Sequence, residues 1–438
     1  MTGLANARGA GIPENGWYSR DALDGLIREA VSGALGQPSL GIATGDRVLV
    51  KPNWVYHMNR SGGGTECLVT HPEFVLSALR LVMEGRPGSV VIGDAPVQGC
   101  VWDSLVTPEL LGRIAEAAGG SQVDVIDFRR TIMCGERLDS GLDNDARPED
   151  RFVLFDLGSD SLLEPVSDPP GRFRVTMYDP DLISLRHLPG KHQYLISREA
   201  LEADLILNLP KLKTHRKAGI TGALKNLVGL NGNKEFLPHH RKGGTGTGGD
   251  CYPGRSFLKS LAEDLLDASN RRIGRPSFSP LILGVRAALE LQRLLHGEAE
   301  IDGGWSGNDT VWRTVLDIDR IALYGRTDGT MADVPQRRIV SLTDALVCGQ
   351  GDGPMMPDPL PLGFVTCSDN QVDADVLHCR LMGFDPAHIP MVREAGSAFR
   401  WPLRTGGGIT ECPGPLEGVM STRAVPPCGW GILEGGGA

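Results

Sequence analysis

The chain has 438 residues, with 54 acidic against 44 basic side chains, a formal net charge of −10 and 41% hydrophobic residues. That is enough chain for one large α/β domain or two to three smaller ones, and the composition excludes bulk disorder. The acidic balance argues against general nucleic-acid binding, and no apolar run reaches the ~18 residues of a membrane span. The segment Met1–Arg8 lacks the apolar stretch of a secretory signal. The nine cysteines contain no C-x-x-C pair, which argues against a disulfide framework, a zinc ribbon or a ferredoxin-type iron–sulfur cluster. A reduced, cytoplasmic protein is expected.

In chain order, residues 1–40 read as an N-terminal segment ending in a helix over Arg20–Gly33, where Leu23, Leu26, Ile27 and Ala30 recur at helical spacing. Arg47–Lys51 reads as a buried strand stopped by Pro52-Asn53. Thr70 and Glu73 have the spacing of a capping box ahead of a helix over Glu73–Met83. A strand over Ser89–Asp94, a helix over Thr107–Ala118 and a strand over Val123–Asp127 follow. This alternation predicts an α/β fold with a mainly parallel, doubly wound sheet. Residues 135–195 are irregular, with room for an antiparallel excursion. The pattern resumes in the strand Asp204–Leu209, which leads into Pro210–His215, and a helix start is expected near Thr221. A long loop over 231–254 is expected to be functional, since structureless stretches of that length are uncommon in compact domains. A helical insertion is expected over 256–325, then strands at Arg338–Leu342 and Leu362–Thr366 and a helix over Val372–Met382. One α/β domain therefore spans 41–395, and the Gly/Pro-rich tail 396–438 is expected to drape over the surface.

Ligands of open parallel sheets sit beyond the carboxyl ends of the strands. Three predicted strands end in polar residues: Lys51 and Asn53, Asp94, and Lys211, Lys213 and His215. Lys211 to Lys234 forms a basic island in an acidic chain. Within it, Thr221 and Gly222 mark a helix start where free N–H groups favour an anion. Lys51, Asn53, Lys211, Thr221, Gly222, Asn226 and Lys234 are therefore expected to bind a phosphate- or carboxylate-bearing metabolite. Lys213, Lys225, His215, His239 and Asp94 are expected to carry acid–base chemistry. His240 and Asp250, in the long loop, are expected to be able to hold a divalent metal.

Lys51-Pro52-Asn53, Thr70-His71-Pro72, Gly93-Asp94, Asn208–His215 and Thr221–Gly229 together resemble the domain of unknown function 362 family. Gly351–Pro354 and Leu381–Asp385 are similar to its closing motifs, and the resemblance spans about residues 45–390. Many members of that family carry a ferredoxin module. Its C-x-x-C-x-x-C run is absent here, and Pro238–Asp250 with Gly307–Trp312 looks like a subgroup found without ferredoxin modules, which implies a stand-alone biosynthetic or metabolic enzyme. The run Gly219–Lys225 is also similar to the Gly-x-Ser-Gly-x-x-Lys pattern of lactate racemase-like proteins. That similarity implies a cofactor-anchoring role for Lys225, with His215 or His239 nearby. The leading expectation is an enzyme acting on a small anionic metabolite. The alternatives are a metal or iron–sulfur oxidoreductase, or a non-catalytic binder of a phosphorylated metabolite. The oligomeric state is left open.

Overall fold

The computed structural model describes residues 1–7, 16–404 and 423–433. A nine-stranded sheet organises them. Its strands run in the order Thr2–Asn6, Met356–Ser368, Arg338–Asp352, Leu205–Leu209, Arg47–Pro52, Ser89–Asp94 and Val123–Asp127, with Lys211–His215 and Gly219–Thr221 appended beside Arg338–Asp352. From Val123–Asp127 across to Arg338–Asp352 the main-path pairings are parallel. Arg338–Asp352 then pairs antiparallel with Met356–Ser368, which pairs antiparallel with Thr2–Asn6. The sheet is thus mainly parallel, as the alternation predicts.

Period-two alternation sorts the strand residues onto two faces. Val48, Val50, Leu205, Leu207 and Leu209 face one apolar cluster, shared with the helices Arg20–Leu35, Pro72–Glu84 and Pro108–Ala117. Leu49 and Ile206 face another, shared with Ile318 and Ile321 of the helix Val311–Tyr324. Both faces are therefore covered, which is what a doubly wound sheet requires. The same alternation puts Lys51 on the Leu49 face and Asn208 on the Ile206 face, side by side in register.

Several boundaries differ from the sequence reading. The N-terminal residues are not a separate segment: Thr2–Asn6 is an edge strand, and Gly3 sits so close to the first helix that a Cβ there would lie 1.9 Å from the Ala30 carbonyl oxygen. Thr70 does not cap the second helix. His71 does, its Nδ1 accepting from the Glu73 N–H, while Thr70 Oγ1 accepts from Asn53 N–H and donates to the Leu209 carbonyl. The antiparallel excursion is real and pairs Phe152–Asp156 with Lys191–Ser197. Of the helices within 256–325, Phe257–Asn270 and Phe278–His296 enclose a small cluster of their own, whereas Val311–Tyr324 is part of the main core. The tail does more than drape. Trp430 is 1% exposed, and its Nε1 donates to the Arg216 carbonyl at 2.6 Å. Residues 405–422 and 434–438 of that tail lie outside the described residues.

Candidate functional site

A cleft of about 680 Å³ opens at the carboxyl ends of the parallel strands. Of the sequence-predicted residues, Asn53, Asp94, His215, Lys225, Asn226, Lys234 and His239 line it. Arg216, Lys217 and Arg129 join them. The short helix Ala223–Asn226 delivers Lys225 and Asn226, and the loop after it delivers Lys234.

The floor is a buried hydrogen-bond lattice. Lys51 Nζ pairs with Asp94 at 2.7 Å and donates to the Pro52 carbonyl. The Asp94 carboxylate also accepts the N–H groups of Trp54 and Ala95, both at 2.7 Å. Asn226 accepts from Asn53 Nδ2 at 2.8 Å and donates to the Lys51 carbonyl and Asn208 Oδ1. Gly229 closes over this pair, where an added Cβ would lie 1.9 Å from Asp94 Oδ1. Asp94 is thus committed to Lys51 and two backbone amides, a positioning role rather than proton transfer.

The lysines divide by partner. Lys211 is fully buried and neutralised by Asp344 at 2.6 Å, with Tyr18 Oη and the Val347 carbonyl also bound. It lies outside the cleft lining, so it serves the fold and not the ligand. Lys213 donates to Asn53 Oδ1 and the Leu68 carbonyl. Burial, and then the charge of Lys211, hold its ammonium well below the ordinary lysine range. It too lies behind the lining. Lys225 and Lys234 are different: both are partly buried and line the cleft, and no ion pair joins either to a carboxylate among the described residues. Burial and neighbouring Lys234 push Lys225 down to about 8. Burial and Arg129 push Lys234 down to about 8.

The two histidines are held in opposite tautomers. His215 Nδ1 accepts the backbone N–H groups of Lys217 and Ala218 at 3.1 and 3.2 Å, so the proton of the neutral ring sits on Nε2. His239 Nδ1 lies 2.6 Å from the Leu237 carbonyl, which can only accept, so its Nε2 carries a lone pair. Burial, reinforced by nearby lysines, holds both well below the ordinary histidine range, and both rings stay neutral at pH 7. One ring is built to donate and the other to accept.

Two expected features fall elsewhere. The helix start at Thr221-Gly222 is not an anion site, because the protein supplies its own anion. The Asp375 carboxylate accepts Ala223 N–H at 2.6 Å and Leu224 N–H at 3.1 Å, and a Cβ on Gly222 would lie 2.0 Å from its Oδ1. His378 Nδ1 holds that carboxylate at 2.8 Å, and His378 Nε2 pairs with Thr366 Oγ1. Thr221 Oγ1 is buried without a hydrogen-bond partner among the described residues, away from the lining. Within Gly219–Lys225, Gly222 therefore faces the fold's own carboxylate, Gly219 packs against Ile389 and Trp430, and only Lys225 reaches the cleft. His240 and Asp250 do not make a metal site. The Asp250 carboxylate accepts Arg241 N–H, Asp309 N–H and the Thr310 hydroxyl. Among the described residues, no three His, Cys, Asp or Glu side chains gather in a metal-binding group. Asp375 and His378 went unnoticed as a pair in the sequence. Their signal was the i, i+3 spacing on the helix Gln371–Leu381, which places them on one face.

Residues 172–380 match the profile of the family described as Domain of unknown function (DUF362). That match supports the family resemblance and covers a little under half of the chain. The DUF362 segment contains both histidines, Lys225, Lys234 and the Asp375 cap, whereas Lys51, Asn53 and Asp94 precede it. The chain is similar to the thylakoid-associated protein sll1697 of Synechocystis, at 23% identity over 349 residues, covering 80% of this chain and 67% of that protein. A crystal structure of a Thermotoga maritima protein aligns at 11% identity and a TM-score of 0.35, over 83% of this chain and 58% of that one. The lactate racemase apoprotein of Thermoanaerobacterium thermosaccharolyticum aligns at 12% identity and a TM-score of 0.27, over 82% and 55%. The chain thus spans little more than half of each solved structure. No helix among the described residues is long and apolar enough to cross a membrane.

Proposed function

We propose that this protein is an enzyme that binds a small anionic metabolite in the cleft and moves a proton on it. The observation that carries the reading is the pair Lys225 and Lys234, ammonium groups that line the cleft beside Lys217 and have no carboxylate partner among the described residues, whereas Lys51 and Lys211 are each neutralised by an aspartate. Lys225 and Lys234 hold the phosphate or carboxylate. Asn53 and Asn226, fixed by the buried lattice, shape the floor beneath it. His215 donates from Nε2 to an oxygen of the ligand. His239 accepts a proton at Nε2, and the lysines stabilise the charge that develops on the metabolite. The eight described cysteines are all free, which suits a reducing compartment such as the cytoplasm.

The test has two readouts. Sulfate binding followed by calorimetry is expected to weaken by at least about tenfold in Lys225→Gln or Lys234→Gln, the effect of losing one charge-assisted contact. Deuterium uptake from solvent into a panel of carboxylated and phosphorylated metabolites is expected for the native protein and lost in His239→Gln. Unchanged sulfate binding in both lysine variants removes the anion site. Sulfate binding with no deuterium uptake in any metabolite leaves a binding protein and removes the enzyme.

A further inference from the structure

Resting on that reading of the cleft, we infer that its ligand carries an aromatic body beyond the anionic group. A volume of about 680 Å³ is that of a drug-sized ligand site, within the ~300–1,000 Å³ range, and far exceeds what a bare oxyanion fills. Methionine recurs in its apolar lining. Met133, Met177, Met355 and Met356 all line the cleft, four of the 11 in the chain, brought from three stretches. By contrast, the buried members of the three large apolar clusters include only Met382 and Met391. The concentration is therefore at the cleft and not in the core. Met177 also has a φ of 56°, one of two positive values at non-glycine residues among those described. A side chain held at the wall by an unfavourable backbone conformation is a feature that clusters at ligand sites.

The chemistry of the wall favours a flat, polarisable occupant. Thioether sulfur packs well against aromatic rings, and the unbranched methionine side chain adapts to a planar face. Tyr56 lines the same cleft, with the Arg60 guanidinium 5.3 Å from its ring centroid, a stack that a second aromatic plane can extend. Met356 is 40% exposed, whereas Met133, Met177 and Met355 are half-buried, as are Lys225 and Lys234. The ring of the ligand then rests among the methionines and Tyr56, with its acid group at Lys225 and Lys234.

The experiment compares three sulfonates of equal, pH-independent charge: methanesulfonate, octane-1-sulfonate and naphthalene-2-sulfonate. Naphthalene-2-sulfonate is expected to bind at least about tenfold tighter than methanesulfonate, and tighter than octane-1-sulfonate. In Met133→Ser/Met177→Ser, most of that gain is expected to disappear while methanesulfonate affinity stays within about twofold. Met355→Ser, on the hairpin tip, gives the same readout if the double variant does not fold. The inference is overturned if naphthalene-2-sulfonate gains nothing, if the octyl probe binds as tightly, or if the gain survives in a folded variant. Lys225→Gln separates the two readings. If it and Lys234→Gln both leave methanesulfonate binding intact, the anion site itself is lost, whatever the ring contributes.

Discussion

Sulfate carries the same double charge from pH 6.5 to 9.5, so any pH dependence of its binding belongs to the protein. Lys225 and Lys234 each titrate at about 8, Lys225 lowered by burial and then Lys234, Lys234 by burial and then Arg129. A group with that value is roughly 90% charged at pH 7 and roughly 10% charged at pH 9. If one ammonium is needed, sulfate affinity falls about tenfold across that window; if both are needed, it falls about a hundredfold. His215 and His239 stay neutral throughout, because burial holds them well below the ordinary range, so they add no slope. A bound dianion favours the charged lysines and shifts the fall to somewhat higher pH without changing its sign. Stability without ligand runs the other way. The unfolded chain binds more protons than the folded one between about 8 and the ordinary 10.5, so this contribution to stability rises with pH across that window. Calorimetric titration with sulfate at half-unit steps measures the slope, and Lys225→Gln should halve it on a logarithmic scale. A dissociation constant that is flat between pH 7 and 9 refutes the assignment of these two lysines.

Three structural substitutions test the rest of the frame. Gly222→Ala drives a Cβ into Asp375 and should lower stability by about 2–4 kcal/mol in urea unfolding; an unchanged midpoint would show that the carboxylate does not cap this helix. Lys211→Met leaves Asp344 buried and unpaired and should cost about 3–5 kcal/mol while sulfate affinity is unchanged. The reverse outcome, weak binding in a stable protein, would return Lys211 to the site. Trp430→Ala removes a fully buried indole and should cost about 3–5 kcal/mol, whereas a merely draped tail would tolerate it.

Strands and helices that bury one clean face were legible from the sequence, and Ser89–Asp94 and Val123–Asp127 match to the residue. Periodicity reports burial directly, so Arg47–Pro52 and Leu205–Leu209 were also found within a residue of their ends. The convergence of Asn53, Asp94, Lys225 and Asn226 followed from a rule about parallel sheets, which needs only strand order. What stayed hidden depends on partners distant in sequence. Nothing around Lys211 announces that Asp344 neutralises it, and nothing around Gly222 announces Asp375, 153 positions onward. The same holds for Thr70, whose capping-box spacing is overridden by the tertiary bonds it makes to Asn53 and Leu209. Local pattern lists the charged residues; only the fold says which of them are already paired.

The helix Val311–Tyr324 has a consequence for how the molecule comes apart. Its first half, with Val311, Trp312, Val315 and Leu316, belongs to the cluster that contains Trp430, and its second half, with Ile318, Ile321 and Tyr324, to the one behind the parallel strands. One rod is thus a member of two cores, so neither can melt while the other stays intact. The hairpin of Phe257–Asn270 and Phe278–His296 joins neither of these cores: its small cluster is completed by Cys251, Tyr252 and Ile301, it is tied to the rest through the ion pairs of Asp267 with Arg174 and Lys242, and Phe257 and Leu294 are 81% and 82% exposed. Amide exchange should accordingly divide the chain into two cooperative units, a slow one bridged by this helix and a fast one made by the hairpin. The cleft residues Lys225 and His239 sit in the slow unit, so the geometry that holds the ligand persists when the hairpin opens.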